Sequence, residues 1–164
     1  MNEGMSLIVK TIARWVVGFI FLYGIYTLAY GHLSPGGGFA GGVILACSYV
    51  LILIAYGKKF AFKNLDWRIA RSLDSIGGFL FLALAFLGLL FAVNGSAYFF
   101  ANFIQKHHPG KPFHLFNGGI IPIGNVVIGI KVLASVFIAV VLLSVLRLFD
   151  ERGERTFESM EEEK

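Results

Sequence analysis

Four long apolar stretches constrain this chain more than anything else in it. About 20 mostly apolar residues are needed for a helix to cross roughly 30 Å of hydrocarbon. The first candidate runs from about Leu7 to Tyr30, and the second from about Phe39 to Gly57. A third lies within the charge-free stretch between Asp74 and Lys106. A fourth lies between Lys111 and Arg147, where the only charge is Lys131. Backbone groups in lipid must be satisfied within the segment, so these read as helices. The apolar–polar alternation of a barrel strand is absent. The expected fold is all-α, a polytopic membrane protein with four transmembrane helices in residues 1–149 and a charged tail in 150–164.

Composition agrees. Of 164 residues, 57% are hydrophobic and 15% charged, with a mean hydropathy of +0.75. Soluble domains carry about 25% charged residues. A soluble enzyme, a disordered chain and a nucleic-acid binder are excluded on this ground. The net charge of +4 resides in the segments flanking the spans and reads as a topology signal. Lys10 and Arg14 precede the first apolar stretch as in a signal peptide, but no Ala-x-Ala-like cleavage site follows, so that stretch is expected to be a membrane helix. The single cysteine, Cys47, excludes a disulfide within the chain and a cysteine metal cluster.

Lys and Arg alternate between the connections. Lys58, Lys59, Lys63, Arg68 and Arg71 follow the second span. None stands in Gly31–Gly38, and Lys106 and Lys111 stand between spans three and four. Both termini are therefore expected in the cytoplasm. In the tail, Glu151 and Arg155 form a favourable i,i+4 pair, which predicts that helix four continues beyond the membrane. Either a frayed end or a docking surface for a peripheral subunit fits that tail.

The segment Gly31-His32-Leu33-Ser34-Pro35-Gly36-Gly37-Gly38-Phe39-Ala40-Gly41-Gly42 is the most unusual. Gly36, Gly38 and Gly41 match G-x-G-x-x-G, but a dinucleotide fingerprint needs a strand before it and a βαβ unit around it. Between two membrane spans the segment reads instead as a tight re-entrant turn at Pro35, either as close packing alone or with an added role beside an ion path. Gly37–Gly41 and Gly38–Gly42 then have the spacing that lets another helix approach closely. The same packing role is expected of Gly77 and Gly78 in span three, and of Gly118, Gly119, Gly124 and Gly129 in span four.

Gly31 to Ala46, GHLSPGGGFAGGVILA, resembles the hallmark of the MnhB family, a membrane component of Mrp-type multisubunit cation/proton antiporters. Asp74, just before Ile76-Gly77-Gly78, is similar to an acidic residue that members carry on entering span three. Where antiporter members tend to have an acidic residue before a Gly-Val pair, this chain has Asn125, then Ile128-Gly129-Ile130-Lys131-Val132. That departure looks more like the versions in energy-converting complexes such as membrane-bound hydrogenases. The resemblance implies a non-catalytic subunit without cofactor, in the cell membrane. Its partners would be other membrane subunits of an antiporter or hydrogenase-like complex, Na⁺ and H⁺, and membrane lipid. Its role would be to scaffold the complex and line part of an ion path.

Lys131 stands out on its own. A lysine inside a span costs about 2.5–3.5 kcal/mol on insertion scales. Counted from Arg147 it lies about 24 Å along the helix, in the outer half. Asp74 is expected at the opposite, cytoplasmic mouth, where it could attract a cation or simply pair with Arg71 on a helix surface. A direct Asp74–Lys131 pair is therefore not expected: Lys131 either snorkels outward or faces protein or a wet cavity, where the expected partner is a carboxylate on a neighbouring subunit. Such a lysine can exchange protons or repel cations. His32, at the outer end of span one, suits either a cap or a proton-linked role. His107, His108 and His114 lack the ligand spacing of a zinc site, and no metal is expected there. Asn94-Gly95-Ser96 is a glycosylation sequon by letters only.

Two other functions fit four spans: an autonomous homo-oligomeric channel or transporter, and a plain membrane anchor. The first would need more titratable groups or an inverted repeat. The second leaves the glycine turn and Lys131 without a purpose.

Overall fold

The computed structural model describes residues 5–57, 60, 67–91, 98–104 and 118–145. Four helices are long and apolar enough to cross a membrane: α1 (Leu7–Ala29), α2 (Gly37–Tyr56), α3 (Trp67–Leu90) and α4 (Ile121–Val145). No strand occurs among the described residues, which disposes of the dinucleotide reading of the glycine motif. The tail, the histidine loop (His107, His108, His114) and Asn94-Gly95-Ser96 lie outside the described residues.

α1 stops where the chain turns sharply. Tyr30 O accepts hydrogen bonds from both Ser34 N and Ser34 Oγ, at 2.9 and 3.0 Å. α2 then starts through Gly36 and Gly37, at φ 123° and 59°. Only glycine enters that region of backbone conformation without a steric cost.

Residue contacts set the helix order. Gly24 lies against Leu45, and Gly41 against Leu28, so α1 and α2 run antiparallel. Gly38 meets Asn125 and Gly42 meets Gly129, so α2 and α4 run parallel. Gly77 meets Lys131, and α3 completes the row α1–α2–α4–α3. Between membrane helices there is no water to expel, so close backbone approach and polar contacts decide association. Glycines supply that approach here. Leu28 projects from α1 into a hole floored by Gly41 of α2 and Gly129 of α4. At the other end, Leu53, Ala70, Phe137 and Val141 form a buried cluster across α2, α3 and α4. Tyr49 meets Phe137 there edge-on, with ring centroids 6.1 Å apart.

Not every expected packing glycine packs. Gly118 and Gly119 precede α4 at φ 99° and 65°, as turn residues rather than helix-contact residues. Gly124 has nothing near its missing Cβ among the described residues. Small size permits close approach but does not cause it, and Gly124 sits beside an open cavity instead.

The segment 98–104 folds back on α3. A Cβ on Gly88 would collide with Ala101 N, and Phe81 and Phe86 pack against Phe100 and Phe99. Asn102 then clamps the entry to α4, donating to Gly118 O at 2.8 Å and accepting from Ile120 N at 3.1 Å. Large apolar side chains such as Phe19 and Leu22 on α1, and Phe79 and Leu82 on α3, face outward, as a surface against hydrocarbon or a partner subunit requires.

Candidate functional site

The expected separation of Asp74 and Lys131 is wrong. Lys131 Nζ donates to Asp74 Oδ1 at 2.7 Å, across the α3–α4 interface. The reason lies in where α3 begins. The charge-free stretch starts after Asp74, but the helix starts at Trp67, so Asp74 stands about 10 Å inside it. The first turns are occupied by Arg68 and Arg71, and Arg71 lies over the Trp67 ring at 5.4 Å instead of pairing with Asp74. From the other side, Lys131 is about 15 Å into α4 from Ile121. Its backbone is level with Gly77: a Cβ there would come within 2.8 Å of Lys131 Cβ. Its stem then passes Gly78, whose Cβ would lie 3.8 Å from Lys131 Cε, and reaches Asp74 one turn away. Two glycines side by side make the groove that this stem occupies.

A third group joins the pair. Ser135 Oγ is 2.5 Å from Asp74 Oδ1 and 2.9 Å from Lys131 O. A serine one turn past a lysine puts both polar groups on one face of the helix. That i,i+4 spacing of Lys131 and Ser135 in an otherwise apolar span was the available signal for Ser135. Asp74 Oδ1 takes both contacts, which leaves Oδ2 without a protein donor among the described residues. The cluster is open at one side, with the side chains of Lys131 and Asp74 43% and 34% exposed.

The glycine turn forms a second polar contact at the other end of α2. The first amides of a helix lack intrahelical partners. Here Asn125 of α4 supplies one, its Oδ1 accepting from Gly38 N at 3.3 Å. The Asn125 backbone lies where a Cβ on Gly38 would stand, and its Nδ2 is 3.0 Å from the corresponding point on Gly31. Asn125 thus plugs the turn, a role that its letter alone did not announce. Pro35 and Phe39 are exposed at this turn, while Gly38, Gly41 and Gly42 are buried. His32 lies in the same turn, near Gly118, and is not part of the Asp74–Lys131 cluster, which is about 15 Å further along α4.

The family of domains related to the MnhB subunit of Na⁺/H⁺ antiporter matches residues 8–138. An uncharacterized protein of Methanocaldococcus jannaschii is 30% identical over 94% of this chain and 58% of its own length. The B-type subunit of a Na⁺/H⁺ antiporter of Bacillus subtilis is 39% identical over 57% of this chain and 58% of its own. One chain in the structure of the membrane-bound sulfane sulfur reductase, an archaeal respiratory membrane complex, is similar with a TM-score of 0.65. It is 30% identical, over 83% of this chain and 59% of that one. This chain therefore spans less than two thirds of the length of each of these relatives. Four spanning helices, the glycine turn and the match over residues 8–138 together show a multi-pass protein of the cell membrane that belongs to the MnhB family.

Proposed function

We propose that this chain is a non-catalytic membrane subunit of a multisubunit Na⁺/H⁺ antiporter-type module, which it scaffolds and whose ion path it partly lines. The observation that carries the reading is the Asp74–Lys131–Ser135 cluster. Charges inside membrane helices are costly and face a protein interior or a wet cavity. A pair that is 34% and 43% exposed in the single chain calls for a neighbouring subunit or a water path against it. Lys131 and Asp74 are the ion-path residues in this reading. His32, at the far turn, is a candidate only for a separate entry point.

The extent of the matches supports placement in a respiratory complex. The chain of the archaeal respiratory complex aligns over 83% of this chain, the Bacillus antiporter subunit over 57%. The distribution of Lys and Arg supports cytoplasmic termini, with the charged residues 150–164 as a short appendage. The partners in this reading are other hydrophobic subunits, lipid, Na⁺ and H⁺.

Purification of the tagged chain from native membranes in mild detergent, followed by mass spectrometry, tests this. Several hydrophobic subunits should be retained, with metal-cluster subunits among them. Recovery of the chain alone, as a homo-oligomer, overturns the proposal in favour of an autonomous channel.

A further inference from the structure

We infer that Asp74 and Ser135 form a binding site for a monovalent alkali cation, Na⁺, in which the Lys131 ammonium acts as a tethered competitor that takes the cation's place. The inference rests on the antiporter-subunit reading for its biology but not for its chemistry.

The ligand set is oxygen, the donor type that hard cations select. Asp74 presents Oδ1 to the ammonium at 2.7 Å and Ser135 Oγ closes the same point at 2.5 Å. Asp74 Oδ2 has no protein donor among the described residues, so a second carboxylate oxygen is available to a cation. The open side of the cluster leaves room for water or a neighbouring subunit to complete the shell. Charge selects the valence. One carboxylate neutralises one positive charge. With the displaced ammonium still charged, Na⁺ leaves the cluster at a net +1 and a divalent ion at +2, so the lysine repels a divalent ion more strongly.

The lysine is placed to leave and return. Its stem rests on Gly77 and Gly78, and the Gly78 side leaves ordinary van der Waals spacing at 3.8 Å. A lysine has a flexible four-carbon stem with a compact ammonium, suited to exchange with a cation of like charge. The swap conserves charge at the carboxylate. An incoming Na⁺ displaces the ammonium, and the returning ammonium expels Na⁺. The serine stays in place throughout, because Ser135 Oγ is also tied to Lys131 O at 2.9 Å.

The test is equilibrium binding of radioactive sodium to the purified complex. Lys131→Met removes the competitor and should tighten Na⁺ binding about tenfold. Asp74→Asn should abolish one bound Na⁺ per copy of this chain. Ser135→Ala, a change too small to endanger folding, should weaken binding severalfold in the Lys131→Met background. Wild-type affinity in Lys131→Met, unchanged sodium occupancy in a correctly assembled Asp74→Asn complex, or unchanged affinity when Ser135→Ala is added to Lys131→Met overturns the site. Potassium binding as tightly as sodium overturns the assignment to Na⁺. If the chain purifies without partners, the antiporter-subunit reading fails, and the same assay on the chain alone still decides the site.

Discussion

The side chain of Leu28 occupies the place where Gly129 would carry a Cβ atom, so α1 and α4 touch without any side chain from α4 between them. Gly41 of α2 forms the other wall, its absent Cβ 2.7 Å from Leu28 Cγ. Ala in place of Gly gains about 1 kcal/mol in an ordinary helix. At Gly129 the added methyl meets Leu28, and overpacking costs about 1–3 kcal/mol. Gly129→Ala should therefore lower thermal stability in detergent, and Leu28→Ala should restore part of it in the double variant. Gly124→Ala, with open space around it, should be neutral or stabilising. Equal effects at Gly129 and Gly124 would show that helix propensity, not packing, governs both.

The glycine turn should fail in two physically different ways. Gly41→Leu puts a side chain into Leu28 and prevents α1 from seating. A Cβ at Gly37 would have its nearest neighbours 3.5 Å or more away, but the φ of +59° forces Gly37→Leu into a left-handed backbone costing about 1–2 kcal/mol. Both should reduce recovery of the intact complex on native gels. Gly37→Asn should be recovered better than Gly37→Leu, because Asn tolerates that conformation. Gly41→Asn should not be. Recovery of all four variants at the level of the unmodified chain would remove the turn from the assembly mechanism.

The spans, their number and the packing glycines of α2 were legible in the sequence because they depend on hydropathy and on residue size. The pairing of Asp74 with Lys131 was not. It depends on where α3 starts relative to its own charges, and Trp67, Arg68 and Arg71 extend the helix outward past the point where the charge-free stretch begins. Depth counted from Arg147 placed Lys131 without reference to α3. The contact of Gly77 with Lys131 sets the register, and a single chain's periodicity carries no information about register between helices. Leu28 was equally invisible, since a leucine in an apolar span gives no sign of which glycines receive it.

Asn125 should accept an acidic replacement better than an apolar one. Its Oδ1 takes the Gly38 amide at the start of α2, where the helix dipole amounts to about half a positive charge. Asn125→Asp keeps the shape and the acceptor, and a carboxylate gains from that dipole. Its thermal stability should equal or exceed that of the unmodified chain. Asn125→Leu leaves the Gly38 amide without its acceptor at a cost of about 1–3 kcal/mol. Thermal unfolding of the two variants in detergent measures the difference, and a more stable Asn125→Leu would show that the plug is one of shape alone.

Lys131→Ala should separate assembly from transport. The buried cluster of Leu53, Ala70, Phe137 and Val141 and the Leu28 contact are untouched by this change, so the helices keep their order. The side chain of Asp74 is 34% exposed and keeps Ser135 as a partner, so the loss should be smaller than the roughly 3–5 kcal/mol for breaking a fully buried pair. The complex should therefore be recovered intact. Sodium-dependent transport in vesicles should fall, because the charge proposed to alternate with the cation at Asp74 is gone. Lys131→Arg, which keeps the charge but not the compact ammonium, should retain more transport than Lys131→Ala and less than the unmodified chain. Full transport by Lys131→Ala would remove the lysine from the ion path and leave it as a packing group on Gly77 and Gly78.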